Sequence, residues 1–257
     1  MKGKLRALGL ALVALLALGA LVAQSAQAVE HTFHSEVERT VLTGGYDPAN
    51  ESKPDEFHIG TATFICTSTK FEGTTVGKTN DQVTLTPTYG STTKPSGCEA
   101  KGTGIEVLVH TNHCAYVFES DTVLTAGTTE EHAPLEIECS GASENEITLT
   151  MPSIGVEIHI PAQNTIKDGV TYTNIGEGSK REITAHVTAK GIHGECTGAN
   201  CFLVGTWKFT NATYEGTETI AGFKDEAAGE LTGTEKTTPT AVSLKEGAQV
   251  GVFLTTP

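Results

Sequence analysis

The chain has 257 residues, with 17 Lys and Arg against 31 Asp and Glu, for a formal net charge of −14. A polyanion of this kind repels nucleic acid and anionic lipid surfaces, because binding either relies on Lys and Arg to neutralise phosphate. The length suits one large domain or two small ones.

At the N-terminus, Lys2, Lys4 and Arg6 form a basic head, and an apolar run follows from Leu8 to Ala23 with only Gly9 and Gly19 in it. Gln24-Ser25-Ala26-Gln27-Ala28 then ends in small residues at the −3 and −1 positions. These are the three parts of a secretory signal peptide, so residues 1–28 are expected to be removed and residues 29–257 to form the mature chain. The apolar run is shorter than the ~20 residues a bilayer asks for, and no second run of spanning length follows, so no membrane span is expected in the mature protein. Residue 29 is Val rather than Cys, which closes the lipoprotein route. Removal of the leader takes three basic residues and no acidic ones, leaving 14 basic against 31 acidic and a net charge of −17.

Cleavage after Ala28 would expose Val29-Glu30-His31. A free amine, two backbone amides and an imidazole at position three make a square-planar four-nitrogen site that suits Cu(II), with His34 near enough to add a ligand. Cleavage after Ala26 would abolish it. Residues 44–56 follow as a surface loop; its Asp47, Asn50, Glu51, Asp55 and Glu56 supply oxygen donors for calcium but lack the ordered Asp-x-Asp-x-Asp-Gly spacing, and the loop reads as solvated.

Past residue 30 the dominant period is two. Val83, Leu85, Pro87 and Tyr89 alternate with threonines; Ile105, Val107 and Val109 alternate with Glu106, Leu108 and His110. The same alternation marks 135–139, 147–151, 156–160 and 183–189. It puts one face of each strand in a core and the other in water, and threonine on the wet face adds β propensity without stickiness. Turn residues punctuate the runs, as at Lys167-Asp168-Gly169 and at Asn174-Ile-Gly-Glu-Gly-Ser179. With no sustained 3.6-residue stripe, the expected fold is all-β: antiparallel, Thr-rich sheets closed into a sandwich or barrel, as one domain or as two sandwiches joined near residues 140–145. Two internal echoes, 64–74 with 207–217 and 82–87 with 146–151, have different offsets and define no repeat. Residues 224–240 read as a loop, and Val250-Gly-Val-Phe-Leu254 as a last strand.

The six cysteines, Cys66, Cys98, Cys114, Cys139, Cys196 and Cys201, all follow the leader, and an even count in an exported chain favours disulfides. Six cysteines allow 15 pairings. The Thr-Gly-Ala-Asn loop favours Cys196–Cys201; Cys66–Cys98 and Cys114–Cys139 are preferred for the rest, with the alternatives open. The spacing is not the Cys-x-x-Cys of a redox pair.

Catalytic signatures are scarce. There is no Gly-x-Ser-x-Gly elbow and no phosphate-cradling glycine loop. His110 and His113, three apart on a strand, would point to opposite faces. Glu157 and His159 share a face with His186 on a neighbouring strand, which is commoner in a wet sheet than in a zinc site. Trp207, Phe209 and Tyr214 could form a sugar-stacking platform, but Trp207, Phe209 and Asn211 on one strand face read as core.

Thr84-Leu-Thr-Pro-Thr-Tyr89 leading to Gly97-Cys98, Asn112-His-Cys114-Ala-Tyr116-Val-Phe118, Ile158-His-Ile-Pro161-Ala-Gln163 and Val170-Thr-Tyr172-Thr-Asn174-Ile-Gly176 resemble a group of uncharacterised exported all-β proteins of actinobacteria. The likeness spans roughly residues 60–220 and consists of strand-and-turn phrases. It implies export and a β fold and carries no site residues. Chains of that group often place a cysteine shortly before the Ile-Pro-x-Gln phrase, where Gly155 and Val156 stand here, a departure that weighs against Cys114–Cys139. The sequence therefore points to a secreted structural or ligand-binding β-protein of the cell surface or extracellular space, with an extracellular or cell-envelope partner and no nucleic acid. A secreted hydrolase with a site assembled from distant residues, and an N-terminal copper-binding protein, are the alternatives; an enzyme is the less favoured class.

Overall fold

The computed structural model describes residues 32–46, 53–90, 97–120, 123–124, 131–141, 145–225 and 246–255. Eight lines of chain run along the molecule. Two are single long strands, β16 (Glu182–Thr197) and β17 (Lys208–Asp225). The other six are each broken once: β2 (Thr40–Gly45) with β3 (Asp55–Ile59), β4 (Ala62–Cys66) with β5 (Thr69–Thr74), and β7 (Gln82–Tyr89) with β8 (Cys98–Ala100). The next three are β9 (Ile105–His110) with β10 (Cys114–Glu119), β12 (Glu131–Cys139) with β13 (Glu146–Met151), and β14 (Val156–Pro161) with β15 (Gln163–Ile175).

Every line pairs antiparallel with the next, and the last returns to the first, β17 lying beside both β2 and β3. Two closed rings result, sharing β16 and β17. The proximal ring is β2-β5-β7-β10-β12-β15-β16-β17 and the distal ring β3-β4-β8-β9-β13-β14-β16-β17. Around either ring the strands follow chain order, so the topology is an up-and-down barrel with a waist. Each break separates a strand of one ring from a strand of the other, and the stretch near 140–145, the alternative join between two sandwiches, falls at one of the six. Closure leaves neither ring an open edge.

Alternation builds the walls. In β7 every second residue, from Val83 to Tyr89, is buried and the intervening threonines are exposed. Eight strands enclose an interior that side chains just fill. Phe71, Leu85, Phe118 and Leu135 fill the proximal ring and Phe64, Leu149 and Ile158 the distal one, each no more than 1% exposed; each stabilises the fold by roughly 1.5–3 kcal/mol.

The waist is repaired with side chains. β16 runs through it by bulging, with register shifts between Lys190 and Ile192 and between Ile192 and Gly194. Gln163 fills the gap: its amide donates to the carbonyls of Pro161 (3.1 Å) and His193 (3.2 Å), and its oxygen accepts from His193 N–H (3.0 Å). Between β9 and β10, Asn112 and His113 stand at φ 45° and 62°, and Cys114 N–H closes on the Thr111 carbonyl at 2.7 Å. This is a type I′ turn, so His113 belongs to a turn and not to the strand that the sequence suggested.

Three disulfides are formed. Cys66–Cys98 and Cys114–Cys139 each join directly paired residues of adjacent strands at the waist, and Cys196–Cys201 closes a loop at the distal end. This is the pairing preferred from the sequence; the departure at Gly155 and Val156 does not displace it.

The chain ends tie down the proximal end. β1 (Thr32–Ser35), β6 (Thr79–Asn80) and β19 (Val252–Thr255) form a small sheet across it, where buried Phe33 meets the Tyr172 ring edge-on at 5.3 Å. β18 (Glu246–Val250) continues along β17, and β11 (Val123–Leu124) lies beside β12. The expected turn at Lys167-Asp168-Gly169 is not a turn but part of β15, where the register with β12 shifts. Lys224 and Asp225, expected in a loop, end β17, and Arg39 pairs with Asp225 at 3.3 Å. Among the described residues no helix is long and apolar enough to cross a membrane.

Candidate functional site

The distal ring ends in four hairpin connections that meet at one mouth: residues 60–61, 101–104, 152–155 and the longer 198–207. They interlock. Thr61 N–H donates to the Val204 carbonyl (2.9 Å) and Asn200 Nδ2 to that of Ile154 (2.6 Å). Between them lies a groove of about 360 Å³, lined by Ala62, Phe64, Ile105, Met151, Ile154 and Leu203 among others. The hydroxyls of Thr61 and Thr103 are spent on the carbonyls of Val204 and Ala100, and Lys101 pairs with Glu56 at 3.3 Å. The groove therefore presents mostly methyl and methylene groups.

Beside it the Cys196–Cys201 bridge clamps the 198–207 connection into a short 3₁₀ turn, Cys201–Leu203. This connection carries three of the exposed large apolar side chains: Phe202 at 64%, Leu203 at 51% and Trp207 at 55% exposure. Clustered exposed apolar groups on a fixed loop cost solvation and usually mark a contact site. The expectation of a buried face shared by Trp207, Phe209 and Asn211 is corrected. Phe209 is buried, while Trp207 precedes β17 and Asn211 falls in the stretch where the register with β16 shifts, which turns it outward.

On the outer face of the distal ring, Glu146 Oε1 lies 2.6 Å from His159 Nδ1, and His159 Nε2 lies 3.1 Å from the Thr197 hydroxyl. Glu157 stands 3.8 Å from the same imidazole. His110, Asn112, Glu146, Thr148 and Glu157 border an open depression of about 570 Å³ here. His186, expected to join Glu157 and His159, sits toward the other end of β16, paired across to Thr171 and Thr217 and 3.3 Å from the Thr217 hydroxyl. An acid, an imidazole and a hydroxyl in line can pass a proton. Here they also knit β13, β14 and β16 together.

Inside the waist sits a polar cluster that the sequence reading missed. Asp55, expected in a solvated loop, is 0% exposed, and Glu218 is 1% exposed. Tyr214 donates to Asp55 Oδ1 at 2.8 Å, and the Tyr89 and Tyr116 hydroxyls meet at 2.9 Å. Burial, reinforced by the negative charge of Asp55, pushes the Glu218 carboxyl up to about 11. Burial also raises Asp55, opposed by hydrogen bonds from Glu218, Thr69 and Tyr214, and it drives the three tyrosines well above their ordinary range. The alternation signals this cluster: Asp55 shares parity with Phe57 and Ile59, and Glu218 with Tyr214 and Ile220.

Val29, Glu30 and His31, the candidate copper ligands, lie outside the described residues, as do Asp47, Asn50 and Glu51. His34 lies in β1, its ring stacked on Phe253 at 5.6 Å. Comparison of the chain with family models, with curated proteins and with solved structures finds no match in any of the three.

Proposed function

We propose that the protein is a secreted, non-catalytic binding protein of the cell surface or extracellular space that takes an apolar group of its ligand into the distal mouth. One observation carries the reading: Phe202, Leu203 and Trp207 are held in water by a disulfide-clamped loop, beside a groove fed by all four distal hairpins. Barrel mouths are common ligand sites, and a loop fixed before binding loses little entropy on contact. Three disulfides in a chain that opens with a leader-like segment suit an oxidising compartment. The hydrolase alternative would draw on the line Glu146–His159–Thr197. That line lies on an open outer face, without the water exclusion that strengthens charge stabilisation in an active site.

Trp207 is the sole tryptophan of the chain and reports directly on the mouth. Titration with 1-anilinonaphthalene-8-sulfonate or a medium-chain fatty acid is expected to shift Trp207 emission to the blue and to saturate. Leu203→Glu, which puts a charge at the groove, is expected to weaken binding at least tenfold, or about 1.4 kcal/mol. Unchanged Trp207 emission with every apolar probe, or equal binding by Leu203→Glu, rejects the reading.

A further inference from the structure

Phe202 and Trp207 stand 64% and 55% exposed, yet neither lines the groove at the distal mouth, to which the same connection contributes Leu203 and Val204. A ligand confined to the groove would leave both rings in water, so what covers them must be wider than the groove. The charge of this end is equally particular. Twenty residues make up connections 60–61, 101–104, 152–155 and 198–207; none is Asp or Glu, and Lys101 is the one charged residue, in a chain with 31 acidic residues. The tip also spends its hydrogen bonds on itself. Leu203, Val204 and Gly205 donate their N–H groups to the carbonyls of Asn200 (2.9 Å), Cys201 (3.0 Å) and Phe202 (3.1 Å). Thr61, Thr103 and Thr206 turn their hydroxyls onto the carbonyls of Val204, Ala100 and Lys208.

We propose that the distal mouth docks on the surface of a zwitterionic lipid layer, with Phe202, Leu203 and Trp207 entering the boundary between headgroups and acyl chains. This rests on the reading of the mouth as the binding end and names what binds there. A protein partner makes about one hydrogen bond per 100–200 Å² of interface, and a rim whose donors are already spent has few to give. Lipid asks for the opposite, because a backbone group brought among acyl chains must find its partner within the protein. Tryptophan suits the headgroup boundary, where its ring is in apolar surroundings and its N–H stays wet. Charge then selects the lipid. With a net charge of −14 the body of the protein is repelled by anionic headgroups, whereas a nearly charge-free end meets a zwitterionic layer without that cost. A second copy of the chain would bring a like charge of its own.

The test uses the mature protein with phosphatidylcholine vesicles. The protein should float with them, its Trp207 emission shifted to the blue and quenched by lipids brominated on the acyl chains. Replacing about 30% of the lipid by phosphatidylglycerol should reduce binding at low salt, and added NaCl should restore it. Phe202→Glu should lower the partition coefficient about tenfold or more. Val76→Glu adds the same charge between β5 and β6 at the proximal end, on a side chain 85% exposed, and should leave the coefficient at the wild-type value. Failure to float while the soluble probes still saturate at the mouth overturns the lipid proposal and spares the reading beneath it; loss of both responses rejects the two together. Flotation without quenching of Trp207, or equal loss in Phe202→Glu and Val76→Glu, means that another face binds and overturns the proposal. So does a concentration-dependent dimer in lipid-free buffer that Phe202→Glu disperses.

Discussion

The Glu218→Gln substitution should change how stability depends on pH. The folded Glu218 carboxyl holds its proton up to about 11, against an ordinary value of 4.5. Between those values the unfolded chain has released the proton and the folded chain has not, so the unfolded state binds fewer protons and stability falls as pH rises. At ~1.4 kcal/mol per pH unit, the interval from pH 4.5 to pH 7 costs the wild type about 3 kcal/mol through this one group. Asp55 is shifted in the same direction, and the buried Tyr89, Tyr116 and Tyr214 hydroxyls around the pair stay neutral throughout. Glutamine keeps the shape and cannot ionise. Urea unfolding followed by Trp207 emission, at pH 4.5, 6 and 7, should show the wild type losing stability relative to Glu218→Gln as pH rises. The difference between the two proteins cancels every other titrating group. Parallel pH profiles would mean that Glu218 is not the buried neutral acid described.

Two further outcomes separate structural from binding roles. The Cys66–Cys98 bridge spans 32 residues and Cys196–Cys201 spans five, so loop-closure entropy gives roughly 4 kcal/mol for the first and roughly 2 kcal/mol for the second. Paired Cys→Ser variants should follow that order in urea, while only loss of Cys196–Cys201 should weaken the uptake of an apolar probe at the mouth. Gln163→Met keeps the volume but strands the N–H and carbonyl of His193 at the bulge; a loss of about 1–3 kcal/mol is expected, and a variant as stable as wild type would show that water replaces the amide.

Period-two alternation made the walls readable. Val83 to Tyr89 and Ile183 to Ala189 read inward and outward as the structure has them, because a half-buried strand imposes its pleat on the sequence. Disulfide pairing was readable as a preference, since sequential cysteines fall on neighbouring strands of an up-and-down barrel. Closure into two rings was not, because it depends on β17 meeting β2 and β3 from the far end of the sequence. Asn211 was misplaced because register shifts with β16 break parity there, and Trp207 because it precedes β17 on the 198–207 connection. Asp55 was misread because a charge beside a Pro-rich loop looks solvated, although its parity with Phe57 placed it inside.

The two ends of the barrel differ in a way that bears on function. The proximal end is covered by β1, β6 and β19, and Asn174 seals β19 through bonds of 2.7 Å to both the N–H and the carbonyl of Leu254. Among the described residues, the void between the rings beside Tyr116 and Tyr214 is about 10 Å³, less than a water comfortably needs. A ligand cannot run through this barrel and must bind at a surface. The distal end leaves Phe202, Leu203 and Trp207 in water on one connection, whose start a covalent bridge fixes. If that bridge merely stabilised the fold, its short span would make it the least useful of the three; its position instead suits the shape of the mouth.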